Sequence, residues 1–166
     1  MNKAAFITGG TGGFGLALTE LLVSHGWHVF AADCDQNGLA ALADKANITA
    51  IPLDVTNTDS VQAAFDAVKK QTDQLDAVVN FAGILRVGPM IEMDENVVQQ
   101  VLDINLMGTW RINKAFFPLL RKGRIVNVSS ETGWHTASPL KGAYAMSKYG
   151  IEAYSDALRR ELSIFD

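Results

Sequence analysis

The sequence predicts an α/β protein built on a doubly wound parallel sheet, with five strands in its 166 residues. Three observations predict it. Short apolar runs with strand character alternate with stretches of helical period. The runs are apolar throughout rather than at every second residue. A glycine-rich turn joins the first run to the first helix. Continuous apolar strands suit a sheet covered on both faces, and strand–helix alternation implies right-handed crossovers.

The elements follow in order. Lys3-Ala-Ala-Phe-Ile-Thr8 supplies the first strand, near 4–8. Gly9-Gly-Thr-Gly-Gly13-Phe14-Gly15 turns the chain, and the leucines of Leu16–Val23 recur at helical spacing, so a helix is expected near 13–25. Gly26 ends it, and Trp27-His-Val-Phe-Ala-Ala32 reads as the second strand. A second helix is expected near 37–45, with Gly38 among the glycines that punctuate the joints, and a strand near 48–52 that Pro52 closes. The third helix, near 58–72, takes Thr58 or Asp59 as its cap and Val61, Ala64, Phe65 and Val68 as its inner stripe. A fourth strand lies near 76–80, a long fourth helix near 94–121, a fifth strand near 124–129 and a fifth helix near 143–163.

Composition bounds the function. The length suits one domain over residues 1–166, and 48% apolar content is enough for its core. A net charge of -4 without a basic run argues against nucleic acid or anionic membrane as partners. No apolar stretch reaches ~18 residues, and the N-terminus lacks a basic-then-apolar signal, so a soluble, cytoplasmic protein is expected. Cys34, the single cysteine, fits a reducing compartment. His25, His28 and His135 are not grouped with other ligands, so no metal is expected.

Two motifs carry chemistry. Strand, glycine turn and helix together aim backbone N–H groups and a helix N-terminus at a phosphate, and glycine allows the backbone to come close. At the end of the second strand stands Asp33. An acidic side chain there can accept from both ribose hydroxyls of an adenosine while repelling a 2′-phosphate. The cofactor expected is therefore NAD rather than NADP, because Cys34 and the residues after it supply no arginine for that phosphate.

The second motif is Tyr144-Ala-Met-Ser-Lys148, which opens a helix after the apolar run Arg124-Ile-Val-Asn-Val-Ser-Ser130. Residues four apart on a helix share a face. An ammonium beside a phenol favours the phenolate, by about 4 kcal/mol at ~4 Å and an effective dielectric of ~20. A tyrosine so placed can exchange protons with an alcohol or a carbonyl.

Thr8-Gly9-x-x-x-Gly13-x-Gly15, Asp33, Asp54-Val55, Asn80-Phe-Ala-Gly83, Asn105, Ser130 and Tyr144-x-x-x-Lys148 stand in order along the whole chain. Taken together they resemble the short-chain dehydrogenase/reductase family, with its Rossmann-like fold. Ser147–Leu162 further resembles the branch that oxidises retinols and hydroxysteroids. The resemblance implies hydride transfer between NAD and a secondary alcohol or ketone. It implies that Tyr144 is the acid/base, that Ser130 rather than Ser129 holds the substrate oxygen, and that Lys148 serves both Tyr144 and the nicotinamide ribose. It further implies that Asn105 holds a water leading to the lysine. Gly9, Thr11, Gly13, Phe14 and Gly15 would hold the pyrophosphate. Asp54 and Val55 would hold the adenine, with a turn cap as the competing reading of Asp54. Asn80, Ala82 and Gly83 would form the floor beneath the cofactor. A homodimer or homotetramer through the fourth and fifth helices is implied as well.

Two departures from the family pattern stand out. The interval from Ser130 to Tyr144 is about one residue longer than usual, in a loop where Trp134 and His135 could meet substrate. Family members also run on past Asp166 through a sixth and seventh strand, so the chain is expected to be a shortened form, with its fifth strand an open edge. That shortening sustains a rival reading, a non-catalytic NAD-binding module with a sensing or assembly role. The intact serine, tyrosine, lysine and asparagine set favours the enzyme, because a sensor needs no proton path.

Overall fold

Each residue of the first strand is buried, as its unbroken apolar character requires, because strands flank it on both sides. In this computed structural model, residues 3–120 and 122–165 are described. The strands are β1 (Ala4–Thr8), β2 (His28–Asp33), β3 (Ile48–Pro52), β4 (Ala77–Asn80) and β5 (Arg124–Asn127). They form one parallel sheet in the order β3-β2-β1-β4-β5. The α-helices are α1 (Gly13–Ser24), α2 (Gln36–Ala40), α3 (Thr58–Lys69), α4 (Glu95–Leu102), α5 (Thr109–Phe116) and α6 (Gly142–Leu162). The doubly wound sheet expected from the sequence is the fold observed.

The chain divides into two compact units, Met1–Ala82 with Thr109–Val126, and Gly83–Gly108 with Asn127–Asp166. The first holds the sheet. Thr8 pairs with Ala32 on one side and Asn80 on the other, and Asp33 pairs with Pro52. Thr8, Asp33 and Asn80 thus lie along the carboxyl edge, where the strand order reverses beside β1 and where open α/β sheets bind ligands. Alternation along β1 sends Phe6 to one face and Ile7 to the other. Phe6 stacks on Phe116 of α5 with ring centroids 3.9 Å apart, and Phe65 of α3 meets Phe116 edge-on at 5.7 Å. On the opposite face Ala5, Ile7, Val29 and Ala31 pack under Leu16 and Leu22 of α1. Each large side chain buried in this way contributes about 1.5–3 kcal/mol.

In the second unit α4 packs on α6, and Ile151 faces inward on α6 while Met146, Ala153 and Ala157 are exposed. Gly150 gives Leu106 room, since a Cβ there would stand 2.7 Å from the leucine Cδ2.

The structure departs from the sequence expectation at several boundaries. The helix expected over 94–121 is α4, a π segment over Asp103–Gly108, α5 and a 3-10 turn over Phe117–Leu119. The π segment contains Asn105, whose amide is drawn into the backbone of Ile84. Pro118, with no N–H to give, falls in the closing 3-10 turn. The cap of α3 is Asn57 rather than Thr58 or Asp59, because its Oδ1 accepts from the N–H groups of Asp59 at 2.9 Å and Ser60 at 3.0 Å. The second helix stops at Ala40 and not near 45. β5 stops at Asn127, since the next carbonyl is taken by a lysine amine and Ser130 caps a 3-10 turn over Glu131–Gly133. As the last strand in the sheet order, β5 leaves Val126 45% exposed.

The Asn57 cap gives a direct test. Asn57→Ala should lower the unfolding free energy by about 1 kcal/mol. It should shift the urea midpoint and leave the slope alone; an unchanged midpoint would remove the cap from the account of α3.

Candidate active site

In the first unit the site residues surround the turn after β1. Gly9 has φ +67, and a Cβ on it would stand 2.9 Å from the Ala82 nitrogen, so the turn lies directly against the chain leaving β4. A Cβ on Gly15 would overlap the Gly9 carbonyl oxygen, whereas Gly13 faces open space. The Thr8 hydroxyl accepts from the Ala82 N–H at 3.2 Å, and the Thr8 carbonyl accepts from Phe81 at 3.1 Å. Below them the Asn80 amide donates to Asn113 Oδ1 at 2.8 Å, both side chains being buried. Phe14 is 82% exposed, its ring 6.4 Å from that of Phe81. α1 begins at Gly13, and Gly12 at its N-cap position offers no side-chain cap. A helix start left uncapped above a glycine cradle suits an anion.

Asp33 is held from two sides. Its Oδ2 accepts from the Thr11 N–H at 3.1 Å and the Thr11 hydroxyl at 2.7 Å, and its Oδ1 from the Asp35 N–H at 3.2 Å. Burial alone would raise the Asp33 carboxyl; these donors outweigh it and hold the group below the usual carboxylate value. Asp54 Oδ1 accepts from the Thr56 N–H at 2.9 Å and hydroxyl at 2.7 Å, which is the turn-cap arrangement. Its neighbour Val55 offers its carbonyl to Arg111 at 3.2 Å.

The second unit, opened by Gly83, holds the other residues. Asn105 is buried, its Oδ1 accepting from the Ile84 N–H at 2.8 Å and its Nδ2 donating to the Ile84 carbonyl at 2.9 Å and to Ser147 Oγ at 3.0 Å. The Ser147 hydroxyl donates in turn to the Tyr144 carbonyl at 2.7 Å. Lys148 is only 7% exposed; its Nζ donates to the Val128 carbonyl at 2.7 Å and lies 5.5 Å from the centroid of the Tyr144 ring. Burial of the ammonium lowers its pKa from the ordinary lysine value.

Ser130 Oγ accepts from the Thr132 N–H at 3.3 Å and hydroxyl at 3.1 Å, so its own hydrogen can be given outward. Ser129 Oγ is buried, with no partner among the described residues, and would lie 2.8 Å from a Cβ on Gly133. Gly133 itself rests on the Lys148 backbone. The Trp134 ring lies tilted against that of His135 with centroids 4.3 Å apart and is largely exposed, while the Tyr149 hydroxyl donates to the His135 carbonyl. Asn105, Ser130, Tyr144 and Lys148 thus fall in one unit, with Ser147 bridging Asn105 to the start of α6. Sequence reasoning did not single out Ser147, Thr132, Asn113 or the Val128 carbonyl. Only the Ser-x-Thr spacing at 130–132 carried a signal, that of a hydroxyl capping a turn.

The family model for short chain dehydrogenases matches residues 3–165. Retinol dehydrogenase 16 of Rattus norvegicus is 42% identical, over 99% of this chain and 53% of that protein. The mitochondrial D-beta-hydroxybutyrate dehydrogenase of Rattus norvegicus is 36% identical, over 96% of this chain and 50% of its own length. The chain thus spans about half the length of the curated relatives it matches. Among solved structures, a short chain dehydrogenase/reductase from Burkholderia phymatum in complex with NAD superposes with a TM-score of 0.93 at 29% identity, covering 99% of this chain and 62% of that one. A match that runs through both units, from the first strand to the end of α6, settles the ancestry: the chain belongs to the short-chain dehydrogenase/reductase family, with retinol dehydrogenases among its relatives.

Proposed function

We propose that the protein is an oxidoreductase that exchanges a hydride between NAD and a secondary alcohol or ketone. The observation that carries this reading is Lys148. A lysine almost never goes under cover without a carboxylate partner. Here, among the described residues, its amine meets a backbone carbonyl and the face of Tyr144 instead. An ammonium desolvated in this manner is poised to act on the phenol rather than to brace the fold. Relatives named as dehydrogenases support the reaction class, and a solved neighbour in complex with NAD supports a nicotinamide dinucleotide.

The residues fit that cofactor. Gly9 and Gly15 let the turn close against neighbouring backbone, Gly13 faces open space at the uncapped start of α1, and Thr11 and Phe14 belong to the same turn. Asp33 carries its negative charge at the ribose end; Asp54 and Val55 would border the adenine, and Asn80, Ala82 and Gly83 would lie beneath. When bound, NAD supplies the hydride acceptor or donor. The chain supplies the rest. Tyr144 takes or gives the hydroxyl proton, and Ser130 donates to the substrate oxygen as charge develops there. Lys148 sets its ammonium beside the Tyr144 ring and holds the ribose, while Asn105 fixes the segment after β4 and offers a place for a water. A homodimer or homotetramer through the helices between 94 and 121 and α6 belongs to the same proposal; the exposed small side chains of Ala153 and Ala157 support it. Among the described residues no helix is long and apolar enough to cross a membrane. We place the protein in the cytoplasm.

Three measurements test this reading. With NAD and a panel of secondary alcohols, retinol and steroids, followed by NADH absorbance, Tyr144→Phe should abolish turnover while NAD still binds. Near-normal turnover in that variant would overturn the acid/base assignment, and binding without turnover in the wild type would favour the sensing module. Asp33→Ala should reduce the preference for NAD over NADP, and an unchanged ratio would count against the ribose contact. Lys148 works as an ammonium, and burial lowers its pKa, so rising pH strips its proton earlier than from an exposed lysine. NAD affinity should therefore fall on the alkaline side, and Lys148→Arg, whose guanidinium stays protonated, should carry that limb to higher pH. Superimposable alkaline limbs would remove Lys148 from the cofactor site.

A further inference from the structure

We infer that Thr11 is a specificity-determining residue for the dinucleotide: buttressed by Gly38, it fixes the Asp33 carboxylate in the place where a ribose 2′-hydroxyl is accepted and a 2′-phosphate refused. This rests on the cofactor reading given above and assigns part of its selectivity to two further positions. Asp33 alone could rotate about its side-chain bonds, and a carboxylate that swings can turn away from a phosphate. Thr11 removes that freedom. It places two donors, its N–H at 3.1 Å and its hydroxyl at 2.7 Å, on the same oxygen, while the Asp35 N–H holds the other at 3.2 Å. The charge is pinned by both of its oxygens.

Thr11 is held in turn by Gly38. A Cβ at position 38 would stand 2.6 Å from the Thr11 Cβ, 2.9 Å from its Cγ2 and 2.8 Å from Asp35 Oδ2. Gly38 lies inside α2, where glycine is a poor helix former and alanine would be the better choice. Its φ is not positive, so backbone conformation does not require it. Space for the threonine does. The field at this edge is negative beyond Asp33 itself. Burial, and after it the charge of Asp33 with a smaller contribution from Asp54, pushes the Cys34 thiol up from its ordinary value. A dianionic phosphate set down there would meet two carboxylates, one of them unable to move aside.

The test is the ratio of NAD to NADP affinity, measured by titration calorimetry on the full chain. Thr11→Val keeps the shape and the N–H but loses the hydroxyl. It should lower the ratio about tenfold, the scale of one hydrogen bond to a charged group. Thr11→Ser, which keeps the hydroxyl, should hold the wild-type ratio. Gly38→Ala should lower the ratio as Thr11→Val does, although it removes no polar group, because it displaces the threonine. If Thr11→Val fails to fold, the Gly38→Ala and Thr11→Ser pair carries the same contrast. A wild-type ratio in Thr11→Val or in Gly38→Ala overturns the inference, as does a serine variant that falls as far as the valine one. Asp33→Ala in the same series separates the two levels. If it relaxes the ratio while Thr11→Val does not, only the role of Thr11 is lost. If it too leaves the ratio unchanged, or the wild type binds neither dinucleotide, the cofactor reading falls together with the inference.

Discussion

Two backbone segments after β1 come closer together than any side chain would allow, and the arrangement of the first unit depends on that approach. Gly15 lies over the Gly9 carbonyl, and Gly9 over the peptide of Ala82. Without a Cβ at either position, α1 can begin directly above the end of the sheet, with its first N–H groups unclaimed by any cap. The Thr8 hydroxyl and carbonyl then fasten the chain leaving β4 to the same place. A close-packed interior transmits such a constraint rather than absorbing it. The stacking of Phe6 on Phe116 and the register of β1 with β2 and β4 fix the platform on which this crossing sits.

The second unit solves a different problem, that of placing polar groups where water is scarce. Asn105 satisfies the backbone of Ile84 with both ends of its amide and still reaches Ser147. Ser147 passes the connection to the Tyr144 carbonyl. The Lys148 amine meets Val128 just where strand hydrogen bonding ends. Each of these buried groups has a partner, as the cost of leaving one bare demands. The Asn105 and Lys148 side chains are therefore set by hydrogen bonds made to backbone. Such bonds define position more narrowly than exposed ion pairs like Arg160–Asp156 can.

How much of this was legible in the sequence follows from the physics of each element. β1 and β3 could be bounded to the residue, because a continuous apolar run ends abruptly at Gly9 and at Pro52. The glycine turn after β1, Asp33 at the end of β2 and the Tyr144–Lys148 pair at the start of α6 could be placed because each depends on local spacing. The long helix could not be divided correctly, because the π segment is produced by Asn105 reaching a backbone distant in sequence. Hydrophobic periodicity carries no trace of such a pull. The Asn57 cap was misplaced by one or two residues, since Asn57, Thr58 and Asp59 are all competent caps and only the entry geometry of the chain selects among them. Asp54 was read with two options, and its side chain is engaged in a turn with Thr56. Thr11 could be named as part of the turn. Its bonds to Asp33, from the next strand, needed three dimensions to be seen.

Leu140 adopts φ +66, a conformation that leucine enters only under compulsion. The Gly88 N–H donates to its carbonyl at 2.9 Å and holds it there, two residues before α6 begins. A branched side chain kept in a left-handed turn means that the loop after Ser130, for all its exposed tryptophan and histidine, does not end as slack chain. It delivers Tyr144 from a strained joint, and a relaxed joint at the same place would let the first turn of that helix start at a different angle. The residue that looks least chemical in the loop is the one that carries its backbone strain, two residues before α6 starts.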